Sequence, residues 1–107
     1  MKYLGKISNA EFGTVKDYPF LFGLQLHFKF DGGGCSDGGR YTVNIFPDCK
    51  WATESERQQK YTQIIYDTAK LLSDAKVNYV SELKGKPVEI EIENDNFKSF
   101  RILTEVI

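Results

Sequence analysis

Between Phe20 and Asp31 the chain alternates without a break. Phe20, Phe22, Leu24, Leu26, Phe28 and Phe30 fall on one side, and Leu21, Gly23, Gln25, His27, Lys29 and Asp31 on the other. Period two with one wholly apolar side predicts a β-strand that buries a single face. A helical winding would scatter the same residues around a cylinder. The phenylalanines on that face bring roughly 1.5–3 kcal/mol each if fully buried, so this strand is the platform for the rest of the fold.

Upstream, Tyr3 to Val15 alternates less cleanly. Ala10, Phe12 and Leu4 share one phase, Ile7 and Val15 the other. A phase change inside a strand predicts a bulge or bend, which Gly5 and Gly13 would permit. Lys16-Asp17-Tyr18-Pro19 reads as a turn. Downstream, DGGGCSDGG (31–39) is so rich in glycine that it predicts a mobile hairpin tip without regular structure. Arg40 to Phe46 reads as a third strand, with Tyr41, Val43 and Ile45 inward and Arg40, Thr42 and Asn44 outward, closed by Pro47-Asp48.

Thr53-Glu54-Ser55-Glu56 is a capping box, T-x-x-E, and predicts a helix start. Tyr61, Ile64, Ile65, Ala69, Leu71, Leu72 and Ala75 follow at mostly three- and four-residue steps, which carries the helix to about Lys76. Asn78 can cap one further turn over Tyr79 to Lys84, closed by Gly85 and Pro87. Val88, Ile90 and Ile92 then alternate with Glu89, Glu91 and Glu93, and Asn94-Asp95-Asn96 predicts a hairpin turn. In the returning strand, Phe97 to Val106, Phe100, Ile102, Thr104 and Val106 share one face, with Phe97 and Leu103 on the other. Apolar residues on both sides predict a central strand.

The order is βββαββ in a single domain, residues 1–107. It predicts an α+β fold: an antiparallel five-stranded sheet with one long helix packed on it. The alternative is a small barrel of the oligonucleotide/oligosaccharide-binding type, in which a helix joins the third and fourth strands. The length of the helix favours the open sheet, and the bent, glycine-containing first strand suits the barrel.

The net charge of −1 and the pI of about 5.8 lack the basic excess of a protein that coats nucleic acid, although a local patch remains open. MKYLGKISNAEF contains no continuous apolar run, so no secretory signal is expected, and no window reaches the length of a membrane span. Cys35 and Cys49 are therefore expected as free thiols in a cytosol.

Candidate chemistry is sparse. The glycine loop has no lysine and leads into a strand, so it is neither a P-loop nor a dinucleotide fingerprint. Asp31 and Asp37 are too few ligands for calcium. His27, Cys35 and Cys49 match no zinc spacing, and a Cys–His nucleophile pair would lack preorganisation. No cofactor or metal is expected, and the chain reads as a non-enzymatic protein.

Two surfaces remain for a partner. Gln25, His27 and Lys29 on the polar face of the Phe20 strand, with Arg40, Thr42 and Asn44 on its neighbour, form the first. Glu89, Glu91 and Glu93, with Asp95 at the turn, form the second, an acidic ridge on what reads as a charge-protected edge strand; this ridge and the glycine loop with Asp37 are expected to carry the contact. A protein partner is the first expectation and single-stranded nucleic acid, on Lys29, Arg40 and Tyr41, the second. An exposed sheet edge leaves room for a homodimer.

AEFGTVKDYPFLFGLQLHFKFDGGGCSDGGRYTVNI and LLSDAKVNYVSELKGKPVEIEIENDNFKSFRILTEVI, together most of the chain, resemble a family of small hypothetical proteins encoded by bacteriophages and prophages. SELKGKPVEIEIE is also similar to the L-x-GK-x-V-x-V opening of a late strand in several phage proteins linked to single-stranded DNA. The resemblance implies an accessory protein of a mobile element in the bacterial cytoplasm, one that inhibits a host defence or nucleic-acid enzyme or serves phage replication or recombination. It carries over no functional residues.

Overall fold

The computed structural model describes residues 1–47, 50 and 53–106. These residues form an α+β fold of six antiparallel strands and one long helix. The strands are β1 (Lys2–Val15), β2 (Tyr18–Phe30), β3 (Gly33–Ser36), β4 (Thr42–Asn44), β5 (Pro87–Glu93) and β6 (Asn96–Ile102), and α1 (Glu54–Ala75) joins β4 to β5. The sheet runs β3-β2-β1-β5-β6, with β4 also paired to β2.

The alternation of β2 sets the core. Leu24, Leu26 and Phe28 are buried and their even-numbered neighbours Phe20, Phe22 and Phe30 half-buried. β1 is shared between two halves of the sheet: Lys2 to Lys6 pair with β5 and Gly5 to Val15 with β2. The expected phase change is a bulge at Ser8, where Ile7 faces Phe28 but Asn9 faces His27. One extra residue turns Ile7 and then Ala10 and Phe12 to the same side as Leu24 and Leu26. Leu4, assigned to that set by parity, lies before the bulge and is 69% exposed.

The glycine-rich stretch is regular, contrary to expectation. Asp31-Gly32 makes a tight turn, with Gly32 at φ 85°, and β3 pairs Gly33 to Ser36 with Phe30 to His27. An antiparallel ladder uses only backbone groups, so side-chain alternation is not required for it. The strand expected over Arg40 to Phe46 is correspondingly shorter: only Thr42 to Asn44 pair, with Gly23 to Leu21. The added strand makes six where five were expected. Asp48, expected to end the third strand, and Cys49 lie outside the described residues.

The last hairpin also differs from its parity. Asn94 and Asp95 both have positive φ, 53° and 64°, the signature of a type I′ turn. A register shift pairs Glu91 with Ser99 but Ile92 with Phe97, leaving Lys98 as the extra residue. Phe97 thereby joins Phe100 and Ile102 on the inner face. β6 ends at Ile102 and stands at the margin of the sheet, while β5 lies between β1 and β6. The strands expected at the centre and at the edge are thus exchanged, because β1 takes the other side of β5.

α1 starts as expected: the Thr53 side chain accepts from the Glu56 N–H at 3.0 Å. It ends with Lys76 in the left-handed region, its N–H bonded to Leu72 and Ser73 carbonyls. Ile64, Leu71 and Ala75 are its buried residues, whereas Ile65 is exposed. No described helix is long and apolar enough to cross a membrane.

The sheet curls so that its two margins approach each other. Phe28 stacks on Phe97 with centroids 5.5 Å apart and meets Phe100 at 4.8 Å. Arg40 Nη1 donates to the carbonyl of the bulged Lys98. Side chains span this gap, and among the described residues no ladder joins β3 or β4 to β6, so the barrel is not closed by backbone pairing. The β1–β2 ribbon projects at one end, since β1 beyond Ile7 pairs with β2 alone. The radius of gyration, 14.6 Å, accordingly exceeds the about 13 Å of a compact chain this long.

Candidate partner-binding surface

Gln25, His27 and Lys29 do share the outer face of β2, opposite Glu11, Asn9 and Lys6 of β1. They are not equivalent. Gln25 Nε2 donates to the Gly13 carbonyl at 3.1 Å and ties the ribbon together. His27 and Lys29 are exposed.

Asp37 is withdrawn from that surface. It is only 5% exposed and sits where the chain passes from β3 to β4. There the ladder along β2 is interrupted, and the Leu26 N–H would have no strand partner. Asp37 Oδ2 accepts from that N–H at 3.1 Å and Oδ1 from the Gly39 N–H at 2.9 Å. Its own N–H donates to the Leu26 carbonyl at 3.1 Å. The carboxylate therefore stands in for a missing backbone acceptor. Burial pushes its pKa up, against the lowering effect of the Gly39 and Leu26 N–H groups and of His27 and Arg40.

Arg40 faces the gap between the sheet margins. Besides its bond to Lys98, its guanidinium lies 5.1 Å above the Phe97 ring, an arrangement that adds cation–π attraction. Tyr41 is half-buried against Phe100. Lys29, on the outer face of β2, is thus not brought together with Arg40 and Tyr41. Cys35 borders the same gap, and burial followed by the Asp37 charge pushes its thiol pKa up.

The acidic ridge is internally neutralised. Glu89 is bonded to Arg101 at 3.3 Å and lies 3.9 Å from Lys2, and Glu93 pairs with Lys98 at 3.1 Å. Glu91 accepts from the Ser99 hydroxyl at 3.3 Å. Since β5 is interior, Glu89 meets cations from both neighbouring strands, Lys2 of β1 and Arg101 of β6, and Glu93 meets Lys98 of β6, so the ridge is not an isolated acidic display.

The apolar surface lies elsewhere, at the projecting end of the β1–β2 ribbon. Phe12, Phe22 and Val43 from the strands and Ile45 just past β4 face Tyr61, Ile64 and Ile65 of α1 across a groove of about 330 Å³. The Tyr61 hydroxyl accepts from Arg57 Nε at 2.8 Å; the other lining side chains are hydrocarbon. Aromatic contacts extend the surface: Phe12 meets Phe22 edge-on at 5.3 Å, and Phe20 contacts both Tyr18 and Phe46. Phe12, Tyr18, Ile45, Phe46 and Ile65 are all exposed, Ile65 by 65%. Beside it, α1 presents Ser55, Gln58, Gln59, Thr62, Gln63 and the exposed Tyr66, all uncharged.

This surface was missed because Phe12, Phe22, Val43, Ile45, Tyr61, Ile64 and Ile65 had strand or helix assignments by periodicity, while Tyr18 was read as part of a turn and Phe46 had no inward assignment. The signal present in the sequence was excess: Ile64-Ile65-Tyr66 is wider than one buried stripe, and Phe46 lies past the last paired residue of β4. Comparison with protein families, with curated proteins and with solved structures finds no match to this chain.

Proposed function

We propose that this chain is a non-enzymatic binding protein that engages a protein partner through the apolar end of the β1–β2 ribbon and the adjoining face of α1. The carrying observation is the exposed cluster of Phe12, Tyr18, Ile45, Phe46 and Ile65 at and beside a preformed groove. Large apolar patches rimmed by polar groups mark interaction sites. The partner chemistry follows from the lining: an amphipathic segment that inserts aliphatic or aromatic anchors and meets the amide-rich rim of α1 with uncharged polar groups. Each anchor residue covered here adds roughly 1.5–3 kcal/mol when fully buried. The Asp37 carboxylate is spent on two backbone N–H groups, which supports a structural role for that side chain. The resemblance to phage and prophage proteins supplies the setting, an accessory protein in the bacterial cytoplasm that acts by occupying a host or phage protein.

The test compares immobilised wild type with Ile65→Glu and Lys29→Glu in bacterial host lysate, then measures the recovered partner, purified, by calorimetry. The reading expects a partner retained by Lys29→Glu and bound at least about tenfold more weakly by Ile65→Glu, equivalent to about 1.4 kcal/mol. Equal binding by both variants removes the apolar end from the account. A wild type that dimerises in light scattering while Ile65→Glu stays monomeric reassigns the surface to a second copy of this chain.

A further inference from the structure

The projecting part of β1 keeps one edge unpaired. In an antiparallel ladder, facing residues turn their backbone groups either towards each other or away. The Leu24 N–H donates to the Tyr41 carbonyl at 3.1 Å, the Leu26 carbonyl accepts from Asp37 at 3.1 Å, and the Phe20 carbonyl accepts from Ile45 at 2.8 Å. From Phe20 to Leu26 the even-numbered residues of β2 thus turn away from β1. Their partners across the ladder, Ala10 facing Leu26, Phe12 facing Leu24 and Thr14 facing Phe22, turn away from β2 in the same way. On that side β5 pairs only with Lys2 to Lys6, and Ile7 is taken by Gly85 and Lys86. Among the described residues no strand flanks β1 from Asn9 to Val15, so the N–H and C=O groups of Ala10, Phe12 and Thr14 lie on an open edge. We propose that this edge pairs antiparallel with the same edge of a second copy, about a two-fold axis at Phe12, so that the two sheets join into one.

The edge is complementary to itself. With Phe12 opposite Phe12, Ala10 of each copy stands opposite Thr14 of the other, and every outward N–H meets a carbonyl. Moving the register towards the turn would set Ala10 against Lys16, beyond the strand. Moving it the other way would set Thr14 against the bulged Ser8 and Glu11 against Glu11, a like-charge pair. The slot also has the length of the strand that fills it. Gly85 and Lys86 close one end beside Ile7, and β1 stops at Val15, where the chain turns back into β2. That turn carries Asp17, and the closed end of the slot carries Lys84; both are exposed and in no ion pair among the described residues. The axis brings Asp17 of each copy towards the Lys84 end of the other, where opposite charges attract.

Proteins blunt exposed edges with Pro, Lys, bulges or very short strands. Asn9 to Val15 contains neither Pro nor Lys. The other margins are blunted: β3 runs only from Gly33 to Ser36, and in β6 Lys98 is bulged and its carbonyl is taken by Arg40. On the inner face the exposed Phe12 ring of each copy meets its counterpart across the axis and is withdrawn from water. A two-fold pair uses up both open edges, so the assembly closes as a dimer and does not grow into a filament.

Pairing over so short an edge is small for a specific interface, so the full chain is followed by light scattering and NMR up to about 1 mM. A concentration-dependent dimer is expected in wild type and in Ile65→Glu alike, since the pairing uses the backbone edge of β1 and not α1. As the dimer forms, the Ala10, Phe12 and Thr14 amides should gain protection from hydrogen exchange. A mixed-labelled wild-type sample should show an intermolecular contact between the α-protons of Glu11 and Gly13, which face each other in this register. Thr14→Pro removes an outward N–H without touching the β1–β2 ladder and should weaken the dimer at least about tenfold, whereas Thr14→Ala should leave it intact. Circular dichroism checks that Thr14→Pro folds, and the wild-type exchange and contact data decide the matter if it does not. A monomer at about 1 mM, protection confined to other amides, a dimer indifferent to Thr14→Pro, or a dimer lost in Ile65→Glu each overturns the proposal. The first of these leaves the edge to a strand from another protein, and the last assigns the interface to the groove.

Discussion

Asp37→Ala tests whether one carboxylate bridges the break between β3 and β4. The substitution strips the acceptor from two backbone donors, Leu26 N–H and Gly39 N–H. Leu26 is fully buried, so its orphaned N–H costs about 1–3 kcal/mol, and the lost Gly39 bond adds about 0.5–1.5 kcal/mol. Relief of the burial cost of the carboxylate acts in the opposite direction, leaving a net loss of about 2 kcal/mol. For a domain of this size that lowers Tm by about 8–15 °C. Urea unfolding followed by circular dichroism measures it directly, because the transition midpoint should fall while its slope is preserved.

A pH series separates this mechanism from simple loss of packing. The pKa of Asp37 is raised in the folded protein above its ordinary value of 3.8. Over the interval from that value up through the folded pKa, the unfolded chain has released the proton that the folded chain still holds. Stability contributed by this group is therefore fully present below the unfolded pKa and is lost as pH rises through the folded one. Asp37→Asn keeps one carbonyl acceptor and cannot titrate, so the stability of wild type relative to Asp37→Asn should decline from acid towards neutral pH. A loss below about 0.5 kcal/mol in Asp37→Ala would refute the bridging role, and a wild-type advantage over Asp37→Asn that rises with pH would refute the dominance of burial over the two N–H bonds in setting the Asp37 pKa.

Further outcomes follow from the same geometry. Gly23→Ala should be among the most destabilising single changes, by more than about 2 kcal/mol in urea unfolding, because Gly23 has φ 150° and an added Cβ would run into the Tyr41 carbonyl and the Thr42 backbone. Thr53→Ala should cost about 1 kcal/mol by removing the cap of α1, seen as a lower urea midpoint. In a Cys49→Ser background, Cys35 should react with iodoacetamide more slowly than a free thiol, and Asp37→Asn should accelerate it by removing the neighbouring charge that helps hold its pKa up. Glu89→Lys with Glu91→Lys and Glu93→Lys should lower Tm at low salt, since it places like charges beside Lys2, Lys98 and Arg101, and added salt should narrow the difference from wild type.

What the sequence revealed of the fold, and what it hid, divides along one physical line. Side-chain periodicity reports which face is buried, and there it succeeded: Leu24, Leu26, Phe28, Val88 and Ile90 are all core residues. The Thr53 cap was equally legible because it is a local hydrogen bond. Strand pairing is a non-local backbone property and leaves no such trace. Gly33 to Ser36 form a strand because the edge of β2 is available to them, and β5 becomes interior because β1 reaches past β2 to pair with it. Both phase errors, Leu4 and Phe97, come from single-residue bulges at Ser8 and Lys98. One extra residue reverses every assignment beyond it. The predicted site residues suffered from the same blindness. Charge and polarity correctly placed Lys29 outside, but only the pairing shows that Lys6 stands opposite it, that Asp37 serves Leu26, and that Glu89 already has Arg101.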